Sequence, residues 1–222
     1  FYYKETTYFF AVSLIVSLSI KETVPILLVP LGIWLLYDIY KTQIFERTRW
    51  KFVASVSIIA TSTIWFIVAF KIFLPVFSKG PTHGLARYSY LGSSVSEIIL
   101  TLLTDPTIVI FRLFSTPIFF YAVSLVLPLA FIPLRSPKAV SVGLGVFFMN
   151  ALAEFSNQHT FHTHHQLQLV IAIIFAMLIT FYDSDERKLN TYKRLLSISI
   201  PVTLLLYSIW LVAVSLKKYG AL

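Results

Sequence analysis

The chain has 222 residues, 57% of them hydrophobic, 16% aromatic and only 13% charged. Soluble domains carry roughly a quarter charged residues, so this composition excludes an ordinary water-soluble globular domain and indicates a multi-span membrane protein. The net charge of +8 is spread over the connections between apolar stretches, where it reports orientation rather than a polyanionic partner, and nucleic-acid binding is set aside. Cysteine is absent, which excludes disulfides and thiolate metal sites.

The chain opens Phe1-Tyr2-Tyr3-Lys4, without an initiator Met or a signal-peptide n-region, and reads as the later part of a longer polypeptide. Residues 1–222 form a single transmembrane domain, without a repeat or a low-complexity tract. A spanning helix needs about 20 largely apolar residues. Thr6–Ile20 and Val24–Tyr37 are shorter apolar runs broken by Lys21-Glu22. Together they are too long for one span, so two short helices meeting at a polar turn are predicted. Phe52–Phe73, Phe119–Leu134, Ala139–Ala153, Leu167–Tyr182 and Leu195–Leu216 follow as candidate spans, giving about seven in an all-α, polytopic fold.

Two long polar gaps interrupt these spans. The segment 79–117 is too long for a simple turn. Within it, Ser94–Leu103 and Thr107–Phe114 alternate polar and apolar residues at roughly helical spacing, around Asp105-Pro106. Ser94 is the predicted N-cap, with Glu97 completing a capping box. These are expected to be amphipathic helices lying on the membrane surface. The second gap, residues 154–166, holds four of the five histidines, His159, His162, His164 and His165.

Positive charge orients the chain. Lys41, Arg47, Arg49 and Lys51, then Arg135 and Lys138, then Arg187, Lys188, Lys193 and Arg194 fall in short connections on one side, ten of the eighteen Lys and Arg residues. The positive-inside rule makes that side cytoplasmic. Lys21-Glu22, the 79–117 segment with His83, and the histidine loop then emerge on the extracytoplasmic face of the cell membrane.

The candidate site residues lie on that face. His162 and His165 share a helix face at their spacing, whereas His162 and His164 share one if the loop is extended. Imidazole ligates divalent metals, exchanges protons near neutral pH, or donates to phosphate when protonated. Three readings stand for the loop: contact with a substrate phosphate, a polar interfacial cap, and a divalent-metal site drawn from His159, His162, His165 and Glu154. Spacing alone does not specify the metal. Lys21-Glu22 between apolar helices needs water, a partner or a cavity; otherwise it is an interfacial ion pair of small energetic weight. Arg87 offers a bidentate fork for a phosphate. Tyr88 beside it is a binding candidate or an ordinary interfacial anchor. No nucleotide-binding glycine loop, zinc helix or nucleophile elbow is present.

An ordered series of motifs carries a family resemblance. Ser19-Ile20-Lys21-Glu22-Thr23-Val24 is followed by Arg87-Tyr88-Ser89-Tyr90-Leu91-Gly92-Ser93-Ser94 and by Leu102-Leu103-Thr104-Asp105-Pro106. Next come Leu127-Pro128-Leu129-Ala130-Phe131-Ile132-Pro133-Leu134 and His162-Thr163-His164. In this order, over roughly residues 8–182, they resemble the prokaryotic membrane proteins grouped as domain of unknown function 2079, themselves similar to GT-C glycosyltransferases. His165 stands where that family has Tyr after His-x-His, and the Pro that commonly opens the next helix is absent. The resemblance implies an integral membrane glycosyltransferase using a polyprenyl-phosphate-linked sugar, with Lys21, Glu22, His83, Arg87, Tyr88, His162 and His164 at the substrate. It assigns no catalytic base, because in GT-C enzymes the acid comes from a first outer loop upstream of this chain. A non-catalytic membrane subunit or assembly partner is the alternative. Transport is disfavoured because no span has an ionisable residue deep in its middle.

Overall fold

The computed structural model describes residues 2–42, 49–73, 76, 84–155 and 166–218. All regular structure among these residues is helical. α1 (Tyr2–Ile20) and α2 (Pro25–Thr42) meet at the Lys21–Val24 turn, closed by Val24 N–H donating to Lys21 O at 3.1 Å. The expected pair of short helices around Lys21-Glu22 is thus present. α3 (Arg49–Val68) runs on through a π-helical turn, Ala69–Phe73. Two short amphipathic helices follow, α4 (Val95–Thr104) and α5 (Pro106–Leu113), then α6 (Thr116–Val126), α7 (Pro137–Leu152), α8 (Leu167–Tyr182) and α9 (Glu186–Lys218).

Among the described residues, Arg49–Phe73 is the one continuous helix long and apolar enough to cross a membrane. Pro106–Leu113 with Thr116–Leu129 reaches that length together, but bent by 60°. α7 and α8, at 16 residues each, rise about 24 Å at 1.5 Å per residue, short of a hydrocarbon core of about 30 Å. By length and apolar composition, the described residues thus contain one helix able to span, or two if the bent pair counts as one.

The largest departure falls on the predicted span Phe119–Leu134. Pro128 has no N–H to continue the helix, and α6 ends in a Schellman motif. Ala130 N–H bonds Leu127 O and Phe131 N–H reaches Val126 O, with Ala130 and Phe131 left-handed at φ 50° and 58°. A short 3-10 turn, Ile132–Arg135, then leads into α7. An apolar run said "span", but two prolines made it a helix and a corner.

The core lies between α2, α6, α7 and α8, where Leu27, Tyr121, Leu125, Val142, Val146, Leu169, Ala172 and Ile173 pack together. Gly143 lets α7 and α8 approach closely, since a Cβ there would sit 2.9 Å from that of Ala172. The outward surface stays apolar: Ile64, Leu178 and Leu205 are all more than half exposed. Water would oppose so large an apolar surface, whereas lipid accepts it.

The capping box at α4 forms. Ser94 Oγ accepts from Glu97 N–H at 3.2 Å, while the Glu97 carboxylate reaches back one residue further, to Ser93 N–H and Oγ at 2.7 and 2.8 Å. These bonds hold the Glu97 carboxyl below its ordinary range. Gly92, at φ 156°, makes the approach possible; a Cβ there would meet Glu97 Cβ at 2.6 Å. Gly92→Ala is expected to cost about 1–3 kcal/mol through this strain. Amide exchange across Val95–Ile98 should quicken in the variant, and unchanged protection would rule the argument out.

Candidate functional site

The last four carbonyls of a helix lack intrahelical partners. At the end of α7 each one is accounted for. Tyr88 Oη donates to Met149 O and Tyr90 Oη to Leu152 O, both at 2.7 Å. Ala153 N–H turns back to Asn150 O at 3.3 Å. The Arg112 guanidinium donates to Ala151 O at 3.3 Å and to Ala153 O just beyond the helix at 2.5 Å. Burial pushes the Tyr88 phenol up to about 12 and raises that of Tyr90 as well, so both remain protonated donors.

The main chain adds to this clamp. Glu154 N–H donates to Arg87 O at 2.8 Å, and Ser89 Oγ donates to the Glu154 carboxylate at 2.8 Å. The Arg87–Tyr90 segment is therefore laid along Met149–Glu154, where the chain enters the histidine loop. Arg87 is held through its backbone oxygen, which leaves its guanidinium, half-buried, for another role. Among the described residues no carboxylate lies within ion-pair distance of it.

Lys21 belongs to the same end of the bundle. Burial pushes its ammonium below the usual lysine range; Glu22 pulls it back up, and the Arg87 charge pushes it further down. The Lys21 ammonium and the Arg87 guanidinium thus lie near enough, on separate segments, to feel each other's charge, with the Glu22 carboxylate the stronger influence on Lys21.

Beneath this surface lies a polar floor that sequence reasoning missed. Tyr121 Oη donates to Gln166 Oε1, and Asn150 Nδ2 donates to Tyr121 Oη at 3.1 Å. Thr23 and Gln168 exchange hydrogen bonds of 3.2–3.3 Å. All five side chains are buried. They tie the Lys21 turn, the end of α7 and the start of α8 into one unit. The available signal was the placement of amides at the ends of apolar runs, Asn150 in Phe147-Phe148-Met149-Asn150 and Gln166-Leu167-Gln168. Arg112 was missed in the same way.

Of the predicted site residues, the structure brings together Lys21, Glu22, Arg87, Tyr88 and Glu154. Tyr88 has its hydroxyl hydrogen committed to α7. His83, His159, His162, His164 and His165 lie outside the described residues, between which no group of three or more metal-binding side chains forms. The flanks of the histidine loop are described, and both rest on this cluster: Glu154 on Arg87 and Ser89, Gln166 on Tyr121.

No curated protein and no solved structure matches the chain. A family model described as "Predicted membrane protein (DUF2079)" matches residues 1–219, nearly the whole chain, and the chain belongs to that family.

Proposed function

We propose that this protein is a GT-C-like, multi-pass glycosyltransferase of the cell membrane, with about seven apolar segments embedded. It takes a sugar from a polyprenyl-phosphate carrier on the extracytoplasmic face. The observation that supports the reading is that Arg87 is laid against Glu154, where the 154–166 gap begins, with Lys21 from a distant part of the chain near enough to feel its charge. In sugar transfer from such a carrier the leaving group is a lipid phosphate, and negative charge develops on its oxygens. Preformed cations stabilise that charge where it appears. Lys21 and Arg87 supply two of them, Glu22 orients Lys21, and protonated His162 or His164 donates from the loop, with His83 as a further candidate donor. A divalent metal held by His159, His162, His165 and Glu154 would serve the same phosphate. The acidic base stands outside the residues assigned.

Arg87→Ala in the full-length protein is expected to lower turnover of a lipid-linked sugar in proteoliposomes about a hundredfold, the usual cost of one charge-stabilising donor. His162→Ala with His164→Ala should lower it further. Wild-type turnover in both variants, with normal folding, would remove the proposed roles. The second reading, a non-catalytic membrane subunit, is favoured by the clamp itself, which spends Tyr88, Tyr90 and Arg112 on the α7 end. It predicts no turnover in the wild type.

A further inference from the structure

A cavity of about 220 Å³ lies between α6, α7, α8 and the 3-10 turn before α7, with Ala122, Leu125, Leu134, Leu144, Phe147 and Ile173 on its walls. The lining is almost wholly apolar. A water molecule needs two to four polar partners to stay in such a space, and here it finds none. An empty cavity would forfeit the dispersion contacts of every wall atom.

The mouth and the closed end are distinct. Leu134 and Leu144 are 49% and 43% exposed and mark a lateral opening. The far side is sealed by the core, where Phe147 stacks on buried Tyr121 with centroids 5.8 Å apart. In a membrane protein a sidewise opening faces hydrocarbon chains. Arg135 follows Leu134 directly at the rim and is exposed. Its guanidinium rests over the Tyr192 ring at 5.5 Å, and among the described residues no carboxylate lies within ion-pair distance. An aromatic seat of this kind orients the guanidinium fork without neutralising it, leaving its donors for a phosphate.

We infer that this cavity holds one acyl chain of an anionic phospholipid whose phosphate is bound by Arg135. The site stands at the opposite end of α7 from the Lys21–Arg87 cluster and is independent of the transfer reaction. Charge complementarity selects the occupant: the rim is cationic, the interior takes only hydrocarbon, and a bilayer supplies molecules with both parts in that order.

The test uses the whole protein in nanodiscs containing phosphatidylglycerol or phosphatidylcholine with a photoreactive diazirine at one chain end. Adducts are mapped by mass spectrometry. Phosphatidylglycerol should label residues 122–126, 140–147 and 169–173 in preference to the exposed α3 surface around Ile64 and Ile67. Ala122→Phe, which fills the lumen, should cut cavity labelling about tenfold, equivalent to about 1.4 kcal/mol, with α3 labelling unchanged. Arg135→Gln should abolish the preference for phosphatidylglycerol over phosphatidylcholine. Equal labelling of cavity and α3 in the wild type would overturn the proposal. So would equal labelling by the two lipids, or displacement by a prenyl phosphate but not by unlabelled phosphatidylglycerol, which would give the cavity to a carrier tail.

Discussion

Arg112→Ala should lower the thermal midpoint of the protein by about 4–8 °C, the equivalent of about 2 kcal/mol for a chain of this size. Its guanidinium holds Ala151 O and Ala153 O at the end of α7, and hydrogen bonds from a charged donor contribute about 1.5–3 kcal/mol each. Because Arg112 is half-buried, water recovers part of that loss, which places the total near the lower figure. Arg87→Ala should leave the midpoint nearly unchanged. The Arg87 contact to Glu154 runs through its backbone oxygen, and any side chain preserves that. Thermal unfolding in one detergent separates the two arginines. A large drop for Arg87→Ala, or none for Arg112→Ala, would reverse their assignment as anion ligand and helix clamp.

Tyr121→Phe should have a comparable or larger effect, about 2–3 kcal/mol. The ring, and with it the stack on Phe147, survives, so the loss isolates the hydroxyl. That hydroxyl joins Gln166 to Asn150 among fully buried neighbours. Removing one partner of a buried polar pair leaves the other desolvated, at about 1–3 kcal/mol per group. Asn150→Ala should be costly too, and the double variant should lose less than the sum, since both single changes break one network. Strict additivity in denaturation would show that the three side chains do not act together. If the proposed sugar transfer holds, Tyr121→Phe should also reduce lipid-linked sugar turnover, because the hydroxyl holds Gln166 at the start of α8.

The helical class and the α4 cap were legible from local rules. Ser94 with Glu97 satisfies its own helix start through neighbours three residues away, and the Lys21-Glu22 break is a purely local interruption of apolar sequence. The α6 corner was harder, because Leu127 to Leu134 is apolar enough to pass as membrane span, and only the spacing of Pro128 and Pro133 shows where the helix must stop. The clamp was partly legible. Arg87, Tyr88 and Ser89 stood out as a motif, but the sequence shows neither what they hold nor that Arg112, 25 residues downstream of Arg87, shares the task. Their partners are backbone carbonyls of α7, which have no sequence signature.

Composition by itself determined that this chain belongs to the membrane, because 13% charged residues cannot clothe a protein of this size in water. Motif order determined the family resemblance, and local capping chemistry set the start of α4, where Ser94 accepts from Glu97 N–H. Only tertiary structure decided which polar residues hold the fold and which remain available for chemistry. That division depends on what each side chain meets across the bundle: the Arg112 guanidinium meets helix carbonyls and is consumed by them, whereas Arg87 is held there through its backbone oxygen.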